Sequence, residues 1–334
     1  MDVKMKDIAR EAGVSTATVG RVLHKRGYVS PDAKKRVEAA VQKLGYVPNT
    51  LARALITNRS GIIGCLVVEH AGNLHQEISR VVLAAAEARG YRLFTMQTRL
   101  NVRDEDELIR QFIGLRVDGL VVISNIYLTR EQLSLLRTRQ VPVVAIERAY
   151  FSPGVDNVCF RDVEGAEEAV RHFLERGHRR VAFIGPKPFA QTEEDRLEGF
   201  RRAMAAAGIP EDGQTVALTQ AYGIDEGRAA AQRLLALPEP PTGLFCTADS
   251  LAAGAMQALY ARGVRVPQDI SISGYDNRIA RELAPPIDSV EPDLDNLGGV
   301  TMDLLCARME RFDDAARTEW LRMRYVDRGT VTAL

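Results

Sequence analysis

The sequence predicts an α/β protein: a small N-terminal three-helix unit of helix-turn-helix type, followed by a two-lobed body of doubly wound parallel sheets. Three observations carry this. The first sixty residues hold three short amphipathic patterns, punctuated by Gly13 and by Ser30-Pro31. From Gly61 onward, apolar runs of strand length alternate with patterns of helical period, the signature of parallel sheets covered by helices. Those strand-length runs are too many for one compact sheet, so two lobes are expected.

In the N-terminal part, a first helix reads from about Lys6 to Ala12, with Ile8, Ala9 and Ala12 on one face. Gly13 ends it, because glycine takes positive φ freely. Ser15 is placed to cap a second helix, Thr16 to about Leu23, whose inner face is Val19, Val22 and Leu23. Ser30 caps a third, with Pro31 at its first position, core residues Val37, Ala40, Val41 and Leu44, and Gly45 as its stop. Two short helices joined through a glycine turn and followed by a third make a helix-turn-helix unit. Its outer surface carries Lys4, Lys6, Arg10, Arg21, Lys25, Arg26, Lys34 and Lys35. Thr16 and Ala17 lead the second helix, where base edges are met when such a helix enters the major groove.

Charge agrees. The formal net charge is zero, yet residues 1–59 hold 12 Lys and Arg against 5 Asp and Glu, leaving 32 against 39 in the remainder. A basic first part on an acidic body suggests one piece made for phosphates and another that is not.

In the body, strands are expected at 61–68, 91–96, 118–123, 141–146, 155–160, 180–185, 215–218, 242–246, 270–274 and 287–291, with a last strand over Trp320–Val326. Helices read at about 75–89, 104–115 and 129–139, and between most later strands. Ligands in such folds sit beyond the carboxyl ends of the strands. No apolar run approaches the ~20 residues of a membrane span. The N-terminus MDVKMKDIAR lacks the apolar core of a signal peptide, so a cytoplasmic location is expected. Cys65, Cys159, Cys246 and Cys306 lie far apart without a CxxC pair, so no metal site is expected. No GxxxxGK[ST], GxSxG or HExxH pattern occurs, so neither catalytic residues nor a cofactor are expected, and the chain reads as a binder.

The stretch KDIAREAGVSTATVGRVLHKRGYVSPDAKKRVEAAVQKLGYVPNTLARAL resembles the headpiece and hinge of the LacI/GalR family of transcription regulators. VSTATVGRVLH matches the family's VSxxTVSRVLN, and the run Tyr46 to Leu55 matches YxPNxxAxxL. The resemblance implies a DNA-binding set of Lys6, Ser15, Thr16, Ala17, Thr18, Arg21, His24, Tyr28, Ser30, Asn49, Ala52 and Leu55. Within it, Thr16 and Ala17 sit at base-reading positions, and Thr18 and Arg21 at phosphate and base contacts. Asn49 and Ala52 resemble hinge contacts, and Leu55 the leucine that wedges into the minor groove. Three residues depart from the pattern: Gly20 for Ser, His24 for Asn, and Lys4 where Thr or Ser usually caps the first helix.

VDGLVV, GHRRVAFIG, DRLEGFRRAM, PTGLFCTADSLAAGAMQAL and VPQDISISGYDN resemble the effector domain of the same family, itself similar to periplasmic sugar-binding proteins. This implies a headpiece over 1–46, a hinge helix and linker over 47–60, and an effector-binding and dimerisation domain over 61–334. Lobe one is expected at about 61–160 and 292–318, and lobe two at about 161–291 and 319–329, with crossings near 160, 291 and 318. Arg196, expected at the start of the helix after strand 180–185, implies a fork onto ligand hydroxyls or carboxylates, with Asp276 as acceptor and Tyr222 as a stacking ring. Val68, Leu74, His75, Ser124, Glu147, Thr192 and Asp249 complete the expected effector-binding set. Ala248 departs from the usual Asn. Arg196→Ala is expected to leave folding intact while abolishing effector response.

The function expected is therefore that of a sequence-specific repressor on double-stranded, pseudo-palindromic operator DNA. It would be controlled by a sugar or sugar derivative bound between the lobes. The alternative is a corepressor-dependent regulator sensing a non-sugar metabolite. Lacking C-terminal leucine heptads, the chain is expected to form homodimers without a membrane partner.

Overall fold

The computed structural model describes residues 3–23, 27–46, 59–68, 73–99, 102–123, 126, 128–147, 154–188 and 191–334. The chain divides into two compact units, Met1–Ser60 and Gly61–Leu334.

In the first unit, α1 (Met5–Ala12), α2 (Thr16–Leu23) and α3 (Pro31–Leu44) pack around Ile8, Val19 and Val37, with Ala9, Ala12 and Ala40 letting the helices approach closely. Gly13 stops α1 at φ 63°, donating its N–H to the Ala9 carbonyl. Lys4 offers no side-chain acceptor, and α1 is capped instead from inside, where the Asp7 carboxylate accepts from Lys4 N at 3.0 Å. A Cβ on Gly20 would meet only the Met5 methyl, at an ordinary 3.5 Å, so packing does not demand glycine there.

The second unit opens with β1 (Ile62–Val68), α4 (Asn73–Ala88), β2 (Arg92–Thr98), α5 (Val102–Gly114), β3 (Gly119–Ile123), α6 (Arg130–Thr138), β4 (Val143–Ile146) and β5 (Val155–Phe160). It continues with α7 (Asp162–Glu175), β6 (Val181–Pro186), α8 (Gln191–Ala206), β7 (Thr215–Thr219), α9 (Ile224–Leu234), β8 (Gly243–Cys246), α10 (Asp249–Ala261), β9 (Ser271–Tyr275) and β10 (Asp288–Pro292). It closes with α11 (Leu294–Glu310), β11 (Thr318–Leu321) and β12 (Met323–Val326).

Two six-stranded sheets result, ordered β11-β5-β4-β3-β1-β2 and β12-β10-β9-β8-β6-β7. All pairings are parallel except β10 with β12. The central strands of each sheet are buried on both faces, as their near-continuous apolar sequences require, while the edge strands β2, β11 and β12 are partly exposed. On β1, Ile63, Cys65 and Val67 face α4 and α11, while Leu66 faces the Phe112 side. On β6, Ala182 and Ile184 face α9 and α10, while Val181 and Phe183 face α7 and α8.

Each expected strand through β10 is present, its ends moved by a residue or two, as helix and strand ends commonly are. The third crossing is a correction. Residues 320–326 are two strands, not one: Thr318–Leu321 pairs with β5 in the first sheet and Met323–Val326 with β10 in the second, so the chain crosses at Arg322 rather than near 318. The connectors at all three crossings are single residues, Arg161, Asp293 and Arg322. Backbone bonds tie neighbouring crossings: Arg161 N donates to Leu321 O, next to Arg322, at 3.0 Å, and Asp293 N to Arg322 O at 3.1 Å.

Candidate functional site

In the first unit the basic and polar surface follows from the helix register. With Val19 pointing into the core, Thr16, Ala17 and Arg21 of α2 are exposed, and so are Lys6 on α1 and Tyr28 beyond α2, the last at 86%. Ser15 Oγ accepts from Thr18 N at 3.1 Å and lies 2.9 Å from Thr18 Oγ1, which fixes the α2 N-terminus that presents Thr16 and Ala17. Ser30 Oγ accepts from Ala33 N at 3.3 Å and does the same for α3. Ser15 and Ser30 thus hold helix ends, whatever else their hydroxyls touch. His24, Asn49, Ala52 and Leu55 lie outside the described residues.

In the second unit the expected effector residues cluster past the carboxyl ends of strands. Val68 ends β1, Glu147 follows β4, Asp276 follows β9, and Tyr222 follows β7 after a short bend. Arg196 sits in the second turn of α8, one turn further in than expected, because that helix already begins at Gln191. The residue is 4% exposed, and each of its three nitrogens is hydrogen-bonded once. Nε donates to Asp162 Oδ1 at 2.9 Å, Nη1 to the Thr247 carbonyl at 2.7 Å and Nη2 to Asp276 Oδ1 at 3.2 Å, while the group lies 3.9 Å over the Tyr275 ring. Tyr275 OH donates to Asp162 Oδ1 at 3.0 Å, closing the network. Burial disfavours the guanidinium charge, but Asp162 and Asp276 outweigh it and hold its pKa well above the usual range. Burial pushes the Asp276 carboxyl up to about 6 despite Arg196 beside it.

From the first lobe, His75 Nε2 lies 2.8 Å from Glu147 Oε2. Burial opposes protonation of His75, yet the Glu147 charge and hydrogen bond prevail and raise its pKa. His75 also senses the charges of Asp276 and Arg196, and Glu147 acts on Glu193 and Asp276, so the lobes present these groups to one another. Glu193, three residues before Arg196, accepts from Tyr222 OH at 3.0 Å. Burial raises its carboxyl above the ordinary range. Thr192, on the first turn of α8, is 7% exposed. Ser124 lies outside the described residues.

Two residues of the expected ligand-binding set also have structural roles. Leu74 packs into the core with β1. Asp249 is tied into its own lobe: Oδ2 accepts from Arg278 N, Ile279 N and Ala280 N at 2.6, 3.0 and 3.1 Å, and Oδ1 from Ser289 Oγ at 2.7 Å. It anchors the turn that carries Asp276, whose own φ of 83° and the 51° of Asn277 lie in the left-handed region. Ala248 packs among the apolar residues of its lobe, so its methyl stands where a polar contact is absent. Asp162, Tyr275 and Glu193 belong to the site and were not singled out from sequence. Asp162 could have been found as the first residue past the β5 crossing.

Asp162 and Asp276 are held against Arg196 as buried ion pairs, an arrangement that suits a binding site. Among the described residues no group of three or more His, Cys, Asp or Glu could hold a metal ion, and no helix is long and apolar enough to cross a membrane.

Comparison with known proteins agrees. Residues 4–49 match the lacI family of bacterial regulatory proteins, and residues 170–331 a periplasmic binding protein-like domain. The HTH-type transcriptional repressor PurR of Vibrio atlanticus (strain LGP32) is 31% identical over 99% of this chain and 99% of its own. The ribose operon repressor of Escherichia coli (strain K12) is 34% identical over 91% of this chain and 92% of its own. A lac repressor dimer bound to operator and anti-inducer shares the fold, with a TM-score of 0.87 at 24% identity over 100% of both chains. These relatives are transcriptional repressors and not enzymes. With a reading helix in its first unit, a two-sheet binding domain in its second and relatives alike across both, this chain belongs to the lacI family of DNA-binding transcription regulators.

Proposed function

We propose that this regulator is a cytoplasmic repressor that binds a pseudo-palindromic operator as a homodimer, and that a sugar or sugar derivative held between its lobes sets operator affinity. The observation that carries the reading is Arg196, buried at the strand ends with Asp276 in reach and with Glu147 and His75 presented from the other lobe. A guanidinium and carboxylate side by side supply the donor and the acceptor that a diol needs. Thr16, Ala17 and Arg21 would read the major groove, with Lys6 on phosphates, Asn49 and Ala52 in the hinge, and Leu55 as the minor-groove wedge. Lobe rearrangement around the ligand would reposition the two headpieces of the dimer and so bias DNA affinity.

A non-sugar corepressor is the second reading. It is favoured by the ionisable pair His75–Glu147 and by the half-exposed ring of Tyr222, which suits a flat heterocycle. One titration separates the two. Operator affinity by fluorescence anisotropy is measured with ribose, with cellobiose and with purine bases, at fixed salt because phosphate contacts are salt-dependent. Release by a sugar supports the first reading and tightening by a base the second. Operator binding indifferent to every ligand sinks both.

A further inference from the structure

Resting on the reading that the effector occupies this cleft, we infer that Glu193 selects the effector by charge: it takes a hydrogen-bond donor, an amine in preference to a hydroxyl, and rejects a phosphate or carboxylate at that end of the ligand.

The side chain is 3% exposed, and its two oxygens are treated differently. Oε1 accepts from Tyr222 OH at 3.0 Å, whereas Oε2 is buried and has no partner. An acceptor left in that state costs on the order of 1–3 kcal/mol, more when charged, and such atoms are rare unless something outside the chain completes them. No cation pairs with Glu193 among the described residues. Arg196 is near enough to temper its charge, but Asp162, Asp276 and the Thr247 carbonyl already take its Nε, Nη1 and Nη2.

The acids around Glu193 push the same way. Glu147 faces it from the first lobe, and Asp276 lies beyond Arg196. An anionic group placed against Oε2 would meet these carboxylates in a site with little water to screen them. A hydroxyl relieves the orphaned atom, and an ammonium relieves both the atom and its charge. Across the cleft, His75 Nδ1 is likewise buried and unpartnered, while Nε2 is held by Glu147. Nδ1 donates when the ring carries both protons and accepts when its one proton is on Nε2, and a ligand hydroxyl satisfies it either way. The ligand therefore offers a donor to the second lobe and a hydroxyl, able to give or take, to the first, as a polyhydroxylated amine or an uncharged polyol does.

The test uses the full chain and matched probes: glucose, glucosamine and glucose 6-phosphate, and ribose and ribose 5-phosphate, each by isothermal titration at one pH and salt. Expected are binding by an uncharged or amine member of a set, no binding by its phosphate, and a loss of about tenfold for an amine probe in Glu193→Gln, the difference between a charge-assisted and a neutral bond. Gln keeps the acceptor for Tyr222 OH, so folding should survive. Glu193→Asp, which keeps the charge but withdraws it by a methylene, is expected to weaken binding while preserving the order of amine over phosphate. A phosphate binding better than its parent overturns the inference, as does an order of affinities that Glu193→Gln leaves unchanged. Either result leaves the regulator reading intact if the bound probe still alters operator affinity, whereas the absence of binding by every member counts against both.

Discussion

Two buried arginines, one under each sheet, look alike by burial and pairing and differ in what surrounds them. Arg308, on α11 of the first lobe, is 1% exposed and holds Asp156 through two nitrogens, at 3.0 and 2.6 Å. Its remaining N–H groups go to the carbonyls of Phe312, Asp314 and Ala315, while Asp156 also accepts from Arg317 N at 2.8 Å. The segment between α11 and β11 is tied by that one guanidinium, and no atom of the cluster lacks a partner. Arg196 makes three bonds, one from each nitrogen, and so keeps two N–H groups in hand, while Glu193 Oε2, His75 Nδ1 and Thr247 Oγ1 around it are buried without partners. A buried charge marks a place where the fold depends on good geometry. Leftover bonding capacity beside it marks a place built for something else.

The largest effect should come from breaking the closed cluster. Arg308→Ala strands Asp156 and three carbonyls, and a loss of about 3–5 kcal/mol is expected in urea unfolding of the effector domain. Any variant that still folds should bind effector as the wild type does. Arg196→Ala comes next, and here the structure corrects the expectation that folding is spared. It leaves Asp162 and Asp276 facing each other unpaired, so stability should fall by a similar order, reduced to the extent that Asp276 protonates. Loss of effector response must therefore be judged on folded protein, and Arg196→Lys, which keeps the charge but not the fork, is the cleaner probe. If Arg196→Ala cost no stability at all, the likeness between the two arginines would be broken.

Asp276→Asn is subtler. It should cost roughly tenfold or more in effector affinity, from a lost charged acceptor worth about 1.5–3 kcal/mol. Its stability effect should depend on pH in a fixed direction. The folded carboxyl holds its proton up to about 6, against 3.8 for the ordinary group, so between those values the folded state binds more protons than the unfolded. Wild-type stability from this group falls as pH rises through that window. The Asn variant, which does not titrate, should compare best with wild type above pH 6 and lose that relative advantage on acidification, as melting at pH 7.5 and pH 4.5 would show. The smallest effect is expected from Thr247→Val: its Oγ1 has no partner to lose, so the apo protein should melt unchanged or up to a few degrees higher, whereas a clear drop would mean the hydroxyl is not spare.

Much of this was legible beforehand, and the misses have physical reasons. Strand and helix order followed from periodicity, because strands buried on both faces read as unbroken apolar runs. Arg196 and Asp276 were found because both sit in stretches that resemble the family's effector domain. The structural role of Asp249 is not legible in sequence, because it depends on three backbone N–H groups that converge only once the chain turns back through two left-handed residues. The third crossing was misplaced because TEWLRMRYV has no glycine or proline to show where one sheet is left for the other. Asp162 lies 34 residues from Arg196, and nothing local announces their bond.

The three single-residue connectors have a mechanical consequence. Bodies joined by one tether can tumble in any direction. The crossings at Arg161, Asp293 and Arg322 are tied by Arg161 N to Leu321 O and Asp293 N to Arg322 O, and three short neighbouring links of this kind would resist twist and shear more than rotation about a line across them. A sensor built this way would have a single output coordinate. Whatever the chemistry of the molecule it detects, the message sent onward would be an angle. Two different effectors would then move the protein further or less far along one arc, as graded agonists, without creating a second kind of signal.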